Sequence, residues 1–185
     1  NEMLLPKSEQ IPSDYFKKGE TIRAVVKKVE LKNSQAVIIL SRTSPVFLEK
    51  LLEIEVPEIF DGLIVVKKIV RDPGEMAKVA VESYDDRIDP VGACVGVRGV
   101  RIQAIVRELG TERIDIVEWA NDPREFITNA LTPAAPSLVK VDPTSHEALA
   151  VVPDKDLAIA IGREGTNVKI ASYITGYKID VKSES

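Results

Sequence analysis

The chain has 185 residues, of which 44% are apolar and 29% are charged, and its formal net charge is −4. This length allows one to three small domains, and the composition excludes a disordered tail, a fibrous protein and a membrane-spanning segment. The acidic balance also excludes a protein that binds polyanions through its overall charge, since such proteins are basic.

Two strands joined by a turn are predicted in the amino-terminal part of the chain. Residues 21–31 and 35–42 alternate apolar and polar side chains, and the turn falls at Lys32-Asn33-Ser34. The preceding residues, Asn1 to Pro6, do not have the pattern of a secretory signal. Because an isolated hairpin is only marginally stable, we expect residues 1–43 to be incomplete as a domain or to pair with further strands.

Residues 44–119, the first unit, are predicted to form helix, strand, strand, helix, helix and strand. Serine or aspartate followed by proline is the usual start of a helix, and glycine often ends one. On this basis the elements are a helix from Ser44-Pro45, strands over 63–70 and 77–81, helices from Asp89-Pro90 to about Val95 and from Gly99 to Gly110, and a strand over 113–117.

Residues 120–185, the second unit, repeat the same order. The elements are a helix from Asp122-Pro123, strands over 137–141 and 148–152, a helix capped by Asp154, a helix from Gly165 to Gly176, and a strand over 177–181. Such a unit packs three helices on one face of a three-stranded sheet. Only Trp119-Ala120-Asn121 separates the units, so we expect one rigid block.

The two units also share a glycine pattern. The spacing among Gly96, Gly99 and Gly110 in the first unit is the same as the spacing among Gly162, Gly165 and Gly176 in the second. One Gly-x-x-Gly is a weak signal, and its glycines are often only helix caps or turn residues. Two copies in the same helix–turn–helix–strand context are more specific. The spacing does not fit a mononucleotide-binding loop, and no Gly-Lys-Ser/Thr follows either copy.

A glycine turn between two helices is suited to holding a nucleic-acid backbone. Without side chains the main chain can be approached closely, and the N-terminus of the next helix attracts phosphate. Residues 96–113 and 162–182 are also locally basic. A groove beside such a turn can take about four unstacked nucleotides.

Two helix–Gly-x-x-Gly–helix units resemble KH domains, and the order of elements resembles the type II KH fold. The stretches at residues 89–96, 114–119 and 157–165 closely resemble the NusA family of bacterial transcription elongation and termination factors. The resemblance implies an α+β fold: part of an OB-type RNA-binding barrel in residues 1–43, then KH domains in residues 44–119 and 120–185. It further implies binding of single-stranded nascent RNA, association with RNA polymerase and other transcription factors, and modulation of pausing, termination and antitermination in the cytoplasm.

The predicted RNA-binding residues lie in and around the two turns. They are Val95, Gly96, Val97, Arg98, Gly99, Val100 and Arg101 in the first unit, and Ile161, Gly162, Arg163, Glu164, Gly165, Thr166, Asn167 and Lys169 in the second. The glycine-turn amides are expected to hold phosphates, the cations to add charge, and the apolar residues, with Val168, to line the groove floors or the core beneath. No catalytic residue, metal site or cofactor is predicted.

The remaining chemistry-bearing residues have structural interpretations. Cys94 is expected to be a small buried residue rather than a nucleophile, and His146 to be exposed. Asp115 and Asp180 are expected to mark the open face of each sheet, and Trp119 to be a packing residue.

Two alternatives remain. Polynucleotide phosphorylase, an enzyme, also combines a KH domain with an OB-type barrel, although it has one KH domain and a separate catalytic part. A protein-interaction module is the other, since acidic residues could contact a basic partner: Glu49, Glu53, Glu55, Glu58 and Asp61.

Overall fold

Three separate three-stranded sheets organise the computed structural model, which describes residues 1–185. The first sheet consists of β1 (Glu2–Leu4), β2 (Val25–Lys32) and β3 (Gln35–Ser41), in the order β1-β3-β2. The predicted hairpin is present, although β2 begins four residues later than expected, and β1 pairs with β3 in parallel. Asn33 and Ser34 have positive φ, the geometry of a tight two-residue hairpin turn.

Buried ionic groups hold the amino-terminal segment, residues 1–43, together and join it to the first unit. Glu9 contacts Lys27 and accepts hydrogen bonds from the hydroxyls of Ser41 and Thr43. Arg42, whose side chain is 4% exposed, donates to Asp14 and Glu108, each at 2.8 Å. Glu9 and Asp14 therefore join parts of the amino-terminal segment to one another, and the pair of Arg42 with Glu108 fixes that segment to the first unit.

The first unit has the predicted order of elements, with one short extra helix. Its elements are α1 (Pro45–Glu55), α2 (Pro57–Phe60), β4 (Ile64–Asp72), β5 (Met76–Ser83), α3 (Pro90–Val95), α4 (Val100–Leu109) and β6 (Arg113–Glu118). Strand β5 lies between antiparallel β4 and parallel β6. The core between sheet and helices includes Phe47, Leu48, Leu52, Val79, Cys94, Ile105 and Leu109.

The second unit repeats this architecture. Its elements are α5 (Pro123–Ala130), β7 (Leu138–Asp142), β8 (Glu147–Val152), α6 (Leu157–Ile161), α7 (Thr166–Thr175) and β9 (Lys178–Ser183). The order β7-β8-β9, with β7 antiparallel and β9 parallel to β8, is that of the first unit. The α+β fold with three-stranded sheets is thereby confirmed.

The predicted helix starts are largely confirmed. The Ser44 hydroxyl accepts the Val46 N–H at 3.1 Å, and the Asp122 carboxylate accepts the Arg124 N–H at 3.0 Å. Asp89 occupies the N-cap position of α3, but its side chain makes no capping hydrogen bond, and Asp154 does not cap α6. It begins a single 3-10 turn, and its carboxylate accepts the N–H of Ser185 instead.

The open face of the first unit's sheet is covered by the second unit. Ala80 and Val117 belong to the same buried cluster as Phe126, Ala171 and Ile174 of α5 and α7. Lys68 also donates across this interface, from Nζ to the carbonyl of Tyr173 at 2.9 Å. The two units therefore share a buried apolar cluster at their interface.

Asp115 was expected to mark an open sheet face, and this expectation was wrong because the second unit covers that face. Its side chain is 11% exposed and accepts from Nζ of the fully buried Lys78 at 2.8 Å. Lys78 also donates to the carbonyl of Thr132 in the second unit. Asp180, at the equivalent position, is 69% exposed as predicted, because nothing packs on the second sheet.

The other structural interpretations are confirmed. Cys94 is fully buried, and burial raises the pKa of its thiol to about 12, so it is not a nucleophile at neutral pH. The Trp119 ring packs on Phe126 with centroids 4.7 Å apart, and His146 lies exposed beside Tyr177. No helix has both the length and the apolar character needed to cross a bilayer.

Candidate nucleic-acid interface

Residues 96–99, the first glycine turn, and residues 162–165, the second glycine turn, have nearly the same backbone. Gly96 has φ 80° and ψ 168°, and Gly162 has φ 80° and ψ 173°. Arg98 and Glu164, at the third position of each turn, are left-handed with φ of 55° and 54°. The sequence repeat therefore corresponds to a repeat in three-dimensional geometry.

Not all of the turn amides are available to a ligand. The N–H of Gly96 donates to Gly92, and the N–H of Gly99 donates to Gly96; Gly162 and Gly165 make the corresponding bonds. The N–H groups of the two residues between the glycines have no acceptor in the chain. Each turn therefore offers two free donors, from Val97 and Arg98 or from Arg163 and Glu164, rather than the four that the sequence suggested.

The predicted cations fall into two classes. Arg98, Arg163 and Lys169 are exposed and form no ion pair. Arg101, in contrast, donates from Nη1 to Glu58 and to the carbonyl of Ala93, each at 2.7 Å. The backbone N–H of Glu58 and the Arg101 guanidinium hold the pKa of the Glu58 carboxyl below its ordinary value. Arg101, whose side chain is 30% exposed, is therefore an ion-paired residue and not a free charge.

The other predicted residues also differ in accessibility. Val97 and Val100 are 82% and 64% exposed, so they lie at the surface of the first glycine turn. Ile161 is partly exposed, and Val95 and Val168 are half-buried against the cores. Asn167 is 1% exposed and lies behind the second glycine turn, which excludes direct contact with a ligand.

A groove at the junction of the two units was not indicated by any sequence pattern. A cavity of about 330 Å³ is lined by Val91 of α3, Ile116 and Glu118 of β6, Asn129 of α5 and the segment 132–135. Each unit contributes only part of this lining, so the groove exists only because the units pack together.

Comparisons with known proteins identify both units. Residues 42–119 match the model of the NusA-like first KH domain, and residues 123–185 match that of the NusA-like second KH domain. A crystal structure of APE1850 shares the fold, with a TM-score of 0.53 at 18% identity, covering 75% of this chain and 96% of that one.

Curated relatives agree with these matches. The transcription termination/antitermination proteins NusA of Halalkalibacterium halodurans and Bacillus subtilis are each 45% identical over 100% of this chain, covering 48% and 50% of their own lengths. That of Thermus thermophilus is 44% identical over 96% of this chain and 46% of its own length. The chain spans about half the length of the relatives it matches. Together the two KH matches and these identities show that the chain belongs to the NusA family.

Proposed function

We propose that this chain binds single-stranded RNA through its two glycine turns, as part of a factor that associates with RNA polymerase and modulates pausing, termination and antitermination. The observation that carries the proposal is the repeated turn, with two free N–H donors and exposed cations in each copy. Such donors bind phosphate oxygens without reading the bases. The names of the relatives support the role in transcription.

A single extended strand is the ligand that best fits this arrangement. The units share a buried apolar cluster, so the two turns are held at a fixed separation, and the junction groove lies between the units. Once one turn holds the strand, binding at the second is intramolecular, which raises the affinity without any additional interaction. The RNA is therefore expected to run from one turn to the other along the junction.

We assign residues 1–43 to part of an OB-type barrel, followed by KH domains at residues 44–119 and 120–185. In the amino-terminal sheet Met3 and Val29 both pair with Ile38, so their side chains share one face. That face is apolar, and Met3, Val29 and Leu31 are 66%, 61% and 80% exposed. Since apolar sheet faces are ordinarily covered, this supports a place in a larger barrel. We further propose a non-enzymatic, cytoplasmic role without metal or cofactor.

The test is RNA binding by the 185-residue chain, measured by fluorescence anisotropy with a labelled single strand. The variants Val97→Asp with Arg98→Asp, and Arg163→Asp, place acids in the first and second glycine turns. We expect each to weaken binding about tenfold or more, and to lower the slope of log affinity against log salt by about 0.7 for each phosphate that the variant no longer binds.

Arg107→Asp is the matched control, because Arg107 is an exposed, unpaired cation on α4 outside the turn. It makes the same charge change as Arg163→Asp and is expected to have a much smaller effect than either turn variant. Unchanged affinity in both turn variants contradicts the proposal, as does an equally large effect in the control.

A further inference from the structure

Behind each glycine turn, the side chain two residues after the second glycine forms hydrogen bonds that connect the elements around the turn. In the first unit this residue is Arg101, and in the second it is Asn167. The two residues differ in size and charge, yet both donate hydrogen bonds to a carbonyl of the short helix that precedes the turn. This shared function is not visible in the sequence repeat, because the residue types differ.

In the first unit the contact joins three elements. The Arg101 guanidinium, on α4, bonds the carbonyl of Ala93 on α3 and the carboxylate of Glu58 on α2. The carbonyl of Ala93 is one of those that the end of a helix leaves without a partner. Arg101 therefore ties the helices on both sides of the turn to the opening helices of the unit.

In the second unit an amide replaces the guanidinium. Nδ2 of Asn167 donates to the carbonyl of Ala160 on α6 at 2.9 Å and to that of Leu131, which follows α5, at 3.3 Å. Asn167 is packed so closely that a Cβ on Gly162 would lie 2.7 Å from its main-chain nitrogen. The same three parts of the unit are joined, here within a fully buried contact.

We propose that Arg101 and Asn167 are positioning residues for RNA binding, which fix each turn so that its two free N–H donors point outward together. The inference rests on the proposed function, since it concerns the same turns. In this proposal Arg101 supports the turn and does not itself bind phosphate. The two roles predict opposite changes in RNA affinity when the carboxylate partner of Arg101 is removed.

The first experiment uses Glu58→Gln in the 185-residue chain, with single-stranded RNA affinity as the readout. If Arg101 positions the turn, removal of its carboxylate partner loosens the turn and weakens binding about threefold or more, with an unchanged salt slope. If Arg101 is an RNA-binding cation, the same variant releases it, and binding becomes tighter with a steeper slope. Tighter binding therefore overturns the proposal for the first unit.

Glu55→Gln is the matched control for charge. Glu55 lies at the end of α1 and forms no ion pair or side-chain hydrogen bond, so the substitution removes one negative charge without changing the turn. Its affinity is expected to be unchanged or slightly higher. The proposal requires Glu58→Gln to bind more weakly than Glu55→Gln, and equal affinities contradict it.

The second experiment compares Asn167→Ala with Ser172→Ala. Ser172 is on the same helix, and its hydroxyl donates to the carbonyl of Val168 and accepts the N–H of Ile179, so its variant removes partly buried hydrogen bonds away from the turn. We expect Asn167→Ala to weaken RNA binding and to speed amide hydrogen exchange in residues 163–165. Ser172→Ala should lower thermal stability without either effect. Equal effects of the two variants on affinity show a merely structural role and overturn the proposal.

The acid substitutions in the glycine turns separate this proposal from the proposed function. If those variants weaken RNA binding while Glu58→Gln and Asn167→Ala do not, the turns bind RNA and only the positioning role fails. If the acid variants have no effect, the proposed function fails as well.

Discussion

At the residue scale, the two glycines of each turn are required for different reasons. Gly162 combines φ 80° and ψ 173°, a region that side chains avoid, with a neighbouring backbone atom 2.7 Å from where a Cβ would lie. Gly165 is left-handed, with φ 74°, but a Cβ there would meet nothing within 4 Å. Glycine is therefore required at the first position both by the lack of room for a Cβ and by the backbone angles, and at the second position by the backbone angles alone.

This difference predicts unequal costs for alanine at the two positions. Gly165→Ala should cost about 1 kcal/mol, the usual penalty for a left-handed residue with a side chain. Gly162→Ala should cost more, about 3 kcal/mol, because the neighbouring main chain must also move. Urea unfolding of the two variants measures this. Gly96→Ala and Gly99→Ala repeat the comparison in the first unit, and an equal cost within either pair contradicts the prediction.

RNA binding by the individual site residues stays a prediction, and what the structure shows is which of their side chains are exposed. Arg98, Arg163 and Lys169 are exposed, as is usual for a charged side chain without a nearby partner. The prediction that Arg101 is a free cation was not met, because its partner Glu58 is distant in sequence and comes close only when α2 packs beside α4. Asn167 is buried for the same kind of reason.

At the scale of elements, helices with a cap, a proline and an apolar period were predicted well. The elements that were missed are short: β1 has three residues and α2 has four, which is less than one repeat of any useful pattern. Both exist because neighbouring elements hold them, β1 through pairing with β3 and α2 through the ion pair of Glu58 with Arg101.

The packing of the amino-terminal segment, residues 1–43, around Glu9 is predicted to be sensitive to acid. Burial raises the pKa of Glu9, but bonds from Lys27, Ser41 and Thr43 outweigh it and hold that pKa below the ordinary 4.5. A lowered carboxyl pKa stabilises the fold at pH above 4.5, and this contribution disappears as pH falls through the folded-state value. Glu9→Gln should therefore reduce the free energy of unfolding at pH 7, and its difference from the unmodified chain should vanish in acid.

Glu2→Gln is the control for that measurement, because Glu2 is exposed and has no side-chain partner. Its free energy of unfolding should follow the unmodified chain across the whole pH range. A difference for Glu9→Gln that persists unchanged into acid contradicts the assignment.

At the scale of the whole molecule, packing of the second unit on the first places equivalent residues in different environments, one buried and one exposed. Lys78 and Asp115 form a buried pair at the interface, and burial lowers the pKa of Lys78. In the second sheet the partner of Asp180 is Leu149, and this face is open. Equivalent aspartates therefore lie in a buried ion pair in one copy and on a solvated surface in the other, and the residue opposite each aspartate differs accordingly.

Asp115→Ala should destabilise the chain by about 3 kcal/mol, because it leaves Lys78 buried without its counter-charge. The equivalent change Asp180→Ala should alter stability by no more than about 0.5 kcal/mol, as for other exposed positions. Chemical denaturation at pH 7 compares them directly. Similar effects of the two variants would show that the interface does not bury the Lys78–Asp115 pair in solution.

Sequence patterns were sufficient for most of the local structure: the order of the longer helices and strands, and the two glycine turns. These follow from capping, periodicity and backbone freedom, which act over a few neighbouring residues. Three other features required the folded chain: which sheet face is covered, where the junction groove lies, and the pairing of Arg101 with Glu58. Each of these depends on contacts between residues far apart in the chain, and patterns of neighbouring residues do not predict such contacts.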